Sequence, residues 1–355
     1  MEQIRYAIVG FGGIAENRIA KEGFALDTRR FNQQDLPMVL VGATDIDPKR
    51  KTAATALGLH WYDTYGQMLD DDTIDAIYVA TSNSTHFPVA MKALQAGKHV
   101  LVEKPMTTSL EDANVLCEYA LSQGLSVSVN LMMPKNAYNI KARELVRSQV
   151  VGPIDYAVIH MEFLYGEDPL EAATWRCALP DELGGPIGDV ASHCLDMAEF
   201  LSGRQICSIR CVYYPKTLRI AVEDGALIIY GMQDGSRGCV RVGFNQPRGG
   251  SFATMDNLGY ELYGHDGVIR GYGTTFQLSG HADEPMRIGL EVKTAVSEES
   301  ISLDHVQNIY QAQIAEHAHS IRDNKPMDGR QGLHNVAMVL ACHESARSGG
   351  KEIVV

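Results

Sequence analysis

The chain has 355 residues, 45% of them hydrophobic and 21% charged, with a formal net charge of −13. This length and composition fit two folded domains, and no apolar segment reaches the roughly 18 residues that a transmembrane helix needs. The negative charge argues against nucleic acid or an anionic membrane as a partner, because no basic cluster offsets it. Residues 1–5 lead into a predicted strand rather than a signal peptide, so we expect a soluble, cytoplasmic protein.

The seven cysteines are dispersed along the chain and form no Cys-x-x-Cys pair. Such spacing is typical neither of a disulfide framework nor of a structural zinc site. We therefore expect reduced thiols and no metal.

A glycine-rich turn follows the first predicted strand. Residues 4–9 form a β-type run, residues 10–15 read Gly-Phe-Gly-Gly-Ile-Ala, and a helical pattern begins at Glu16. Strand, glycine turn and helix are the context of a dinucleotide-binding fingerprint, in which the first glycine permits a tight turn and the second lets backbone approach a pyrophosphate. The amino end of the helix offers N–H groups to the phosphates. The sequence therefore predicts an NAD-type cofactor bound at Gly10, Gly12, Gly13, Ile14 and Ala15.

The second β-run, residues 39–44, ends at Asp45. An acidic residue here binds the adenosine ribose and repels a 2′-phosphate, which favours NAD over NADP. Asp45 lies 30 residues after Ala15 rather than about 20, so we expect an insertion around residues 27–37. Lys49 and Arg50 are close enough along the chain to leave NADP open.

Strand-like and helix-like segments alternate as far as about residue 130. The predicted elements are a strand over 76–80, a helix over 87–96, a strand ending at Lys104, a helix over 110–123 and a strand over 126–131. This alternation predicts an α/β fold whose N-terminal part is a Rossmann-type, doubly wound parallel sheet. We assign residues 1–130 to a dinucleotide-binding domain.

The pattern changes after residue 154. Five segments alternate in β fashion between Gly, Asp or Pro turns, over 156–163, 206–214, 225–232, 238–244 and 260–263. Two helical segments, 304–323 and 332–348, close the chain. We predict that residues 131–355 form a C-terminal α+β domain with a large, mostly antiparallel sheet, which binds substrate and mediates oligomerisation.

Lys104 stands between Glu103 and Pro105, where the predicted fifth strand ends. Open parallel sheets bind ligands beyond the carboxyl ends of their strands, so Lys104 is a candidate catalytic cation. Pro105 biases Lys104 toward an extended conformation, and an X-Pro bond is the one kind for which the cis form is cheap. For Lys104 taken alone, a surface lysine at a strand end is the alternative.

A second glycine pair, Gly184-Gly185, precedes Asp189 and His193. Four residues apart on a helix, these two side chains would share one face about one turn apart. Taken singly, Asp189 fits a helix N-terminal residue and His193 an interior histidine. Their pairing behind a glycine turn favours a catalytic role.

In order and spacing these motifs resemble the Gfo/Idh/MocA family of sugar and cyclitol oxidoreductases over nearly the whole chain. They are Gly10-x-Gly12-x-x-Ala15, Asn83-x-x-His86, Glu103-Lys104-Pro105, Trp175-Arg176, Gly184-Gly185, Asp189-x-x-x-His193 and Ser345-Ala346-x-x-Gly349. The resemblance implies a cis Lys104–Pro105 peptide and three catalytic residues around the substrate carbon: Lys104, Asp189 and His193. It further implies contacts with the cofactor, or around it, from Asn83, His86, Glu103, Lys104, Trp175 and Arg176.

The activity that this resemblance implies is NAD(P)-dependent hydride transfer at a secondary hydroxyl of a sugar, glycoside or cyclitol, with glycoside C3 and inositol carbons foremost. Removing the hydride requires a base for the hydroxyl proton and positive charge near the oxygen, for which His193 and Lys104 are suited. Two alternatives stay open: an NAD-dependent glycosidase-like enzyme using transient oxidation and elimination, and a non-catalytic nucleotide or sugar sensor. The family also implies a homodimer or homotetramer.

Overall fold

The structure is a computed structural model, which describes residues 3–31, 35–245, 258–273, 288–303 and 306–355. These residues form two compact units. The first holds the described residues up to Met132 together with 307–336, and the second holds those from Met133 to Val306 together with 337–355. Residues 307–336 thus belong to the first unit. The prediction from the sequence placed all residues after 130, and therefore these too, in the second domain.

The first unit contains a parallel sheet, six-stranded in its described part, with the order β3-β2-β1-β4-β5-β6. Its strands are β1 (Ile4–Val9), β2 (Met38–Thr44), β3 (His60–Trp61), β4 (Ala76–Val79), β5 (His99–Val102) and β6 (Val127–Val129). The helices between them are Ala15–Gly23, Arg50–Ala56, Tyr65–Leu69, His86–Gln95 and Leu110–Gln123, with a 3₁₀ turn at Asn83–Thr85. The predicted doubly wound sheet is confirmed, and its order reverses at β1 and β4, the point where such sheets bind ligands.

Local sequence explains these elements. The strands β4 and β5 are short apolar runs with almost no exposed surface, as expected where helices cover both faces of a parallel sheet. The helix Leu110–Gln123 begins after Ser109, whose hydroxyl accepts the N–H of Asp112, and ends at Gly124 with φ +66°. These two caps give that helix the bounds predicted from the sequence.

The returning segment packs through the helix Ile309–Arg322. Its Ile314 and Ala318 belong to the buried core around β1 and β2. The hydroxyl of Tyr6, in β1, lies 2.7 Å from Nδ1 of His317. The helix begins at Ile309 because the Asn308 side chain caps it by accepting the N–H of Gln311, whereas the prediction began at residue 304, which lies outside the described residues together with residue 305.

The second unit contains a mixed sheet whose described part has nine strands, in the order β14-β13-β12-β11-β7-β10-β9-β8-β15. All its pairs are antiparallel except that between β7 and β10. The strands are β7 (Ile154–Glu162), β8 (Ile206–Tyr213), β9 (Gly225–Met232), β10 (Arg237–Gly243), β11 (Leu258–Gly264), β12 (Gly267–Gly273), β13 (Ile288–Thr294), β14 (Glu298–Ser300) and β15 (Ile353–Val354). This confirms the predicted large, mostly antiparallel sheet.

Helices pack against this sheet and connect its strands. They are Ala137–Arg147, Pro169–Ala172, Trp175–Ala178, Pro186–Ala191 and Ser192–Ser202, with 3₁₀ turns at Met133–Lys135 and Pro180–Glu182; the last helix of the chain is Arg330–Arg347. Of the helices in the described ranges, none has both the length and the apolarity needed to cross a membrane. The cytoplasmic location stays a prediction.

The expected insertion falls between Gly23, where the first helix ends, and Met38, where β2 begins. Residues 32–34, within it, lie outside the described residues.

Candidate active site

The turn after β1 leaves open space at the switch point of the sheet. Gly10 has φ +87°, and a Cβ there would lie 2.6 Å from the Ala80 carbonyl, so the position requires glycine. A Cβ at Gly12 or Gly13 would meet nothing within 4 Å. The Glu16 N–H donates to the Gly12 carbonyl at 2.9 Å, and the N–H groups before it stand at the start of a helix, where intrahelical acceptors are missing. This space therefore fits the pyrophosphate of a dinucleotide.

Arg50 supports this turn from the following helix. Its guanidinium donates to the Phe11 carbonyl at 2.5 Å and to the Glu16 carboxylate at 2.9 Å. Glu16 also accepts from Lys21 at 2.8 Å, and these two cations lower the pKa of its carboxyl group. Arg50, which the sequence left available for a 2′-phosphate, is thus engaged with the glycine turn after β1.

Asp45 lies directly after β2, the neighbour of β1, as the fingerprint requires. It is partly buried, and its Oδ1 accepts the N–H of Asp47 at 2.8 Å. This local turn orients the carboxylate. Contact of Asp45 with the adenosine ribose stays a prediction.

Glu103 is held by residues from the two strands that flank β5. Its Oε1 accepts the Tyr78 hydroxyl at 2.6 Å and the Asn130 amide at 2.9 Å. Tyr78 belongs to β4, and Asn130 directly follows β6. Burial raises the pKa of Glu103. These bonds fix the backbone that carries the adjacent, partly buried Lys104.

His86 is fully buried and lies between two loops. Its Nδ1 is 2.8 Å from the Pro105 carbonyl and its Nε2 is 3.2 Å from the Thr81 carbonyl. The Lys104–Pro105 peptide is cis, as the resemblance implied. His86 therefore supports the segment that carries Lys104, and the predicted contacts of His86 and Asn83 with the cofactor stay predictions.

In the second unit, the glycine pair forms a tight turn. Gly185 has φ +72°, and a Cβ there would lie 2.5 Å from Oε1 of Glu223. A Cβ at Gly184 would lie 2.6 Å from the Arg176 carbonyl. The turn therefore requires two glycines, because it runs between another backbone segment and a carboxylate.

Asp189 and His193 follow this turn on two consecutive helices rather than on one regular helix. Asp189 belongs to Pro186–Ala191, which is of π type, and His193 to the first turn of Ser192–Ser202. The i→i+5 bonds of a π-helix widen its turn, so the angular offset between the two side chains differs from the predicted α-helical one. Such segments are frequent at functional sites. His193 is 5% exposed.

Arg176 connects the helix Trp175–Ala178 to this segment. Its Nε donates to Oδ2 of Asp189 at 3.1 Å, and its guanidinium carbon lies 4.7 Å from the centre of the Trp175 ring. The structure thus brings together three predicted site residues from two separate stretches of the second unit. The first unit separately gathers the glycine turn, Asp45, and the residues around Lys104.

Several supporting residues were missed from the sequence. Tyr78 and Asn130 were predictable in principle, because Tyr78 lies near the carboxyl end of β4 and Asn130 directly follows β6, the two strands on either side of β5. Arg50 was noted for another role. Glu223 has no local signal, since it lies 34 residues after Asp189.

A dinucleotide-type turn at the switch point of a parallel sheet, in a chain that carries acid–base side chains on a second unit, defines a nicotinamide-dependent oxidoreductase. Comparison with family models agrees: residues 4–131 match the oxidoreductase family with an NAD-binding Rossmann fold, and residues 139–270 match the GFO/IDH/MocA C-terminal domain. The chain therefore belongs to the Gfo/Idh/MocA family, and it is an NAD(P)-dependent oxidoreductase.

The relatives named here have low sequence identity to this chain, but the similarity extends over most of its length. A 1,5-anhydro-D-fructose reductase from Ensifer adhaerens is 26% identical over 287 residues, which cover 80% of each chain. The scyllo-inositol 2-dehydrogenase (NAD(+)) of Bacillus subtilis is 27% identical over 277 residues, covering 75% of this chain and 73% of the relative. The crystal structure of an aldose-aldose oxidoreductase from Caulobacter crescentus, complexed with glycerol, superposes over 100% of both chains with a TM-score of 0.82 at 21% identity, which shows a common fold.

Proposed function

We propose that the protein oxidises a secondary hydroxyl of a sugar, glycoside or cyclitol, or reduces the corresponding ketone. Glycoside C3 and inositol carbons are the leading positions. The relatives named above support a polyhydroxylated ring as the substrate class, since they act on an anhydro sugar and on an inositol.

The observation that carries the proposal is the retained set of ionisable groups: Lys104 after β5, and Asp189 and His193 behind the second glycine turn. A protein that only sensed a ligand would have no need of an ammonium, a carboxylate and an imidazole together. Their chemistry matches the requirements of alcohol oxidation.

Each residue has a distinct proposed task. His193 accepts the hydroxyl proton on one of its ring nitrogens during oxidation and returns it during reduction. The Lys104 ammonium stabilises the negative charge that develops on the substrate oxygen. Asp189, fixed by Arg176, holds a neighbouring substrate hydroxyl. When bound, NAD(P) supplies the hydride chemistry.

The residues proposed to hold the nucleotide are those of the first turn together with Asp45, Asn83, His86, Glu103 and Lys104, with Trp175 and Arg176 bordering the cofactor or the substrate. The carboxylate of Asp45 favours NAD over NADP.

The test is a panel of sugars, glycosides and inositols incubated with the purified protein and NAD or NADP, followed by the absorbance of reduced nicotinamide. Net NADH formation with at least one member supports the proposal. Release of a sugar from a glycoside without net NADH would instead indicate oxidation, elimination and rereduction. Tight NADH binding with no hydride exchange across the panel would indicate a sensor.

We also propose a homo-oligomer that associates through the open face of the large sheet. Large apolar side chains on that face are 37–58% exposed and form two groups, one on each side of β10. Cross-strand register pairs Tyr156 with Tyr263 in one group and Val212 with Leu227 in the other, where Ile229 lies two residues further along the strand. Exposed apolar groups of this kind are typical of a protein interface. Light scattering after gel filtration should give a dimer or tetramer that Ile229→Glu dissociates, and a monomeric wild type would contradict it.

A further inference from the structure

We propose that Glu223 is a positioning residue, which holds the turn that presents Asp189 and His193. The inference rests on the proposed function of those two residues. Glu223 lies between β8 and β9, and no sequence motif includes it.

The contact is specific on both sides. Oε1 of Glu223 accepts the backbone N–H of Ile187 at 2.9 Å, at the amino end of the helix Pro186–Ala191. The same oxygen would lie 2.5 Å from a Cβ at Gly185, whose φ is +72°. The carboxylate therefore satisfies one of the N–H groups at the helix start, and its closeness adds to the preference for glycine that the positive φ already sets.

The loop that carries Glu223 is itself held in one conformation by the next residue. Asp224 is fully buried and accepts hydrogen bonds from the Lys216 ammonium at 2.6 Å, the Thr217 hydroxyl at 3.0 Å and the Leu218 N–H at 2.7 Å. These hydrogen bonds connect the carboxylate of Asp224 to residues 216–218 of the same loop. Glu223 is thus presented by a fixed backbone rather than by a mobile one.

The same loop also holds the segment that carries Arg176. The N–H of Ala221 donates to the Cys177 carbonyl at 2.8 Å, one residue beyond Arg176. The loop is therefore hydrogen-bonded to two segments, the one that carries Arg176 and the one that carries Asp189. The side chains of these two residues are in contact at 3.1 Å. Two anchor points two residues apart, Ala221 and Glu223, set the distance between these segments.

A carboxylate at this position has a cost in stability. Burial raises the pKa of Glu223 to about 7, although the hydrogen bond from the Ile187 N–H and the charges of Lys216 and Arg347 oppose the shift. Tyr213 and Cys342 are the other titratable groups that interact with it. A glutamine could accept the same N–H without burying a charge. Ionisable groups retained at such a cost are typical of functional sites.

The test compares Glu223→Gln and Glu223→Ala with a matched control, Glu199→Gln. Glu199 also accepts a backbone N–H, that of Ile206 at 2.7 Å, but near the other end of the helix Ser192–Ser202. The measurements are kcat and KM across pH on a substrate from the panel, NADH affinity, melting temperature, and hydrogen exchange of the amides of residues 186–193.

We expect Glu223→Ala to lower kcat by about 30-fold or more and Glu223→Gln by about 3- to 10-fold, with NADH affinity unchanged and exchange over 186–193 faster in the alanine variant. The acidic limb of kcat/KM should be shallower in Glu223→Gln, because an ionisation near pH 7 is lost. Glu199→Gln should keep wild-type kcat. The inference is overturned if Glu223→Ala keeps the wild-type kcat and the wild-type exchange over 186–193, or if both Glu223 variants lose activity only in proportion to lost melting temperature. A normal kcat in Glu223→Gln beside a slow Glu223→Ala would show that the accepted hydrogen bond is enough to hold the turn. A wild type with no turnover on any substrate refutes the proposed function instead, and hydrogen exchange still tests the hold on the turn.

Discussion

In each unit of the molecule a glycine turn leads into a helix of π type, Ala15–Gly23 in the first unit and Pro186–Ala191 in the second. The glycines serve different ends. At Gly12 and Gly13 an added Cβ would enter open space, whereas at Gly184 and Gly185 it would enter the protein's own atoms. The first turn leaves space that a ligand can occupy. The second turn lets the Arg176 backbone and the Glu223 carboxylate approach closely.

This difference explains how the two turns distribute their tasks. The first turn presents backbone and open space to a ligand, as a pyrophosphate bound by N–H groups requires, although Arg50 supports the turn through the Phe11 carbonyl. The second turn carries side chains that must be aimed, so it is held from outside by Glu223 and lies against Arg176. A nucleotide-binding turn can therefore be recognised from a local pattern, whereas the proposed acid–base site depends on a distant residue that no local pattern includes.

We expect the largest effect from substituting Lys104, because this residue belongs to the first unit yet is proposed to act on the substrate. Lys104→Ala should lower kcat by about 10³-fold, since a positioned cation and proton-transfer group is lost, while NADH affinity stays near the wild-type value. Steady-state kinetics and NADH fluorescence titration measure the two quantities. Lys92→Ala, at an exposed position of the helix His86–Gln95, is the control. Full activity in Lys104→Ala would remove this residue from the chemistry.

Gly185→Ala tests whether the second turn depends on its close approach to Glu223. The added Cβ meets the carboxylate, so we expect kcat to fall by about 100-fold, equivalent to about 2.7 kcal/mol of activation free energy. Gly203→Ala is the control: its φ of +70° gives similar backbone strain, but its Cβ meets nothing within 4 Å. Equal losses of kcat in the two variants would show that strain alone matters.

The pH dependence of stability tests the electrostatic cost of holding the second turn. The folded-state pKa of Glu223 is raised from 4.5 to about 7, so its contribution to stability is fully present below about pH 4.5 and is lost as pH rises through 7. Glu223→Gln should therefore unfold with a free energy about 1 to 3 kcal/mol higher than the wild type at pH 8, with the difference shrinking toward pH 5. Denaturant titrations at the two pH values measure it. A variant equally destabilised at both would contradict the assignment.

Cofactor preference tests the first turn's neighbour, Asp45. Asp45→Ser removes the charge that repels a 2′-phosphate but keeps an oxygen for the Asp47 N–H, so kcat/KM for NADP relative to NAD should rise about tenfold. Asp47→Ser, which removes an equal charge at an exposed position two residues on, should leave the ratio unchanged. A ratio that shifts equally in both variants would point to general electrostatics.

A local sequence pattern was sufficient to predict the first turn, because its fingerprint consists of one strand, the glycines that follow it and the start of the next helix. The same holds for the apolar run ending at Lys104 and for the helix Leu110–Gln123, whose caps at Ser109 and Gly124 are visible in the sequence. The two sheets followed from the change between helical and alternating segments.

The remaining features depend on tertiary packing. The return of residues 307–336 to the first unit is decided by the burial of Ile314 and Ala318, which a helical pattern does not reveal. The π-type segment before His193 could not be read from the spacing of Asp189 and His193, since four residues suit a regular helix equally well. Glu223 contacts Ile187 across 36 residues of chain, so only the structure shows that a turn and a loop form one assembly.

The central claim is that the first turn binds the nucleotide and that His193 takes part in the hydride-transfer step. The most direct test measures NADH affinity and single-turnover hydride transfer in Gly12→Val and His193→Asn. Gly66→Ala is the control, because a Cβ at Gly66 has no neighbour closer than 3.9 Å. We predict that Gly12→Val weakens NADH binding at least tenfold, about 1.4 kcal/mol, while His193→Asn binds NADH normally and transfers hydride at least about 100-fold more slowly. Normal hydride transfer in His193→Asn, or normal NADH affinity in Gly12→Val, would contradict the account.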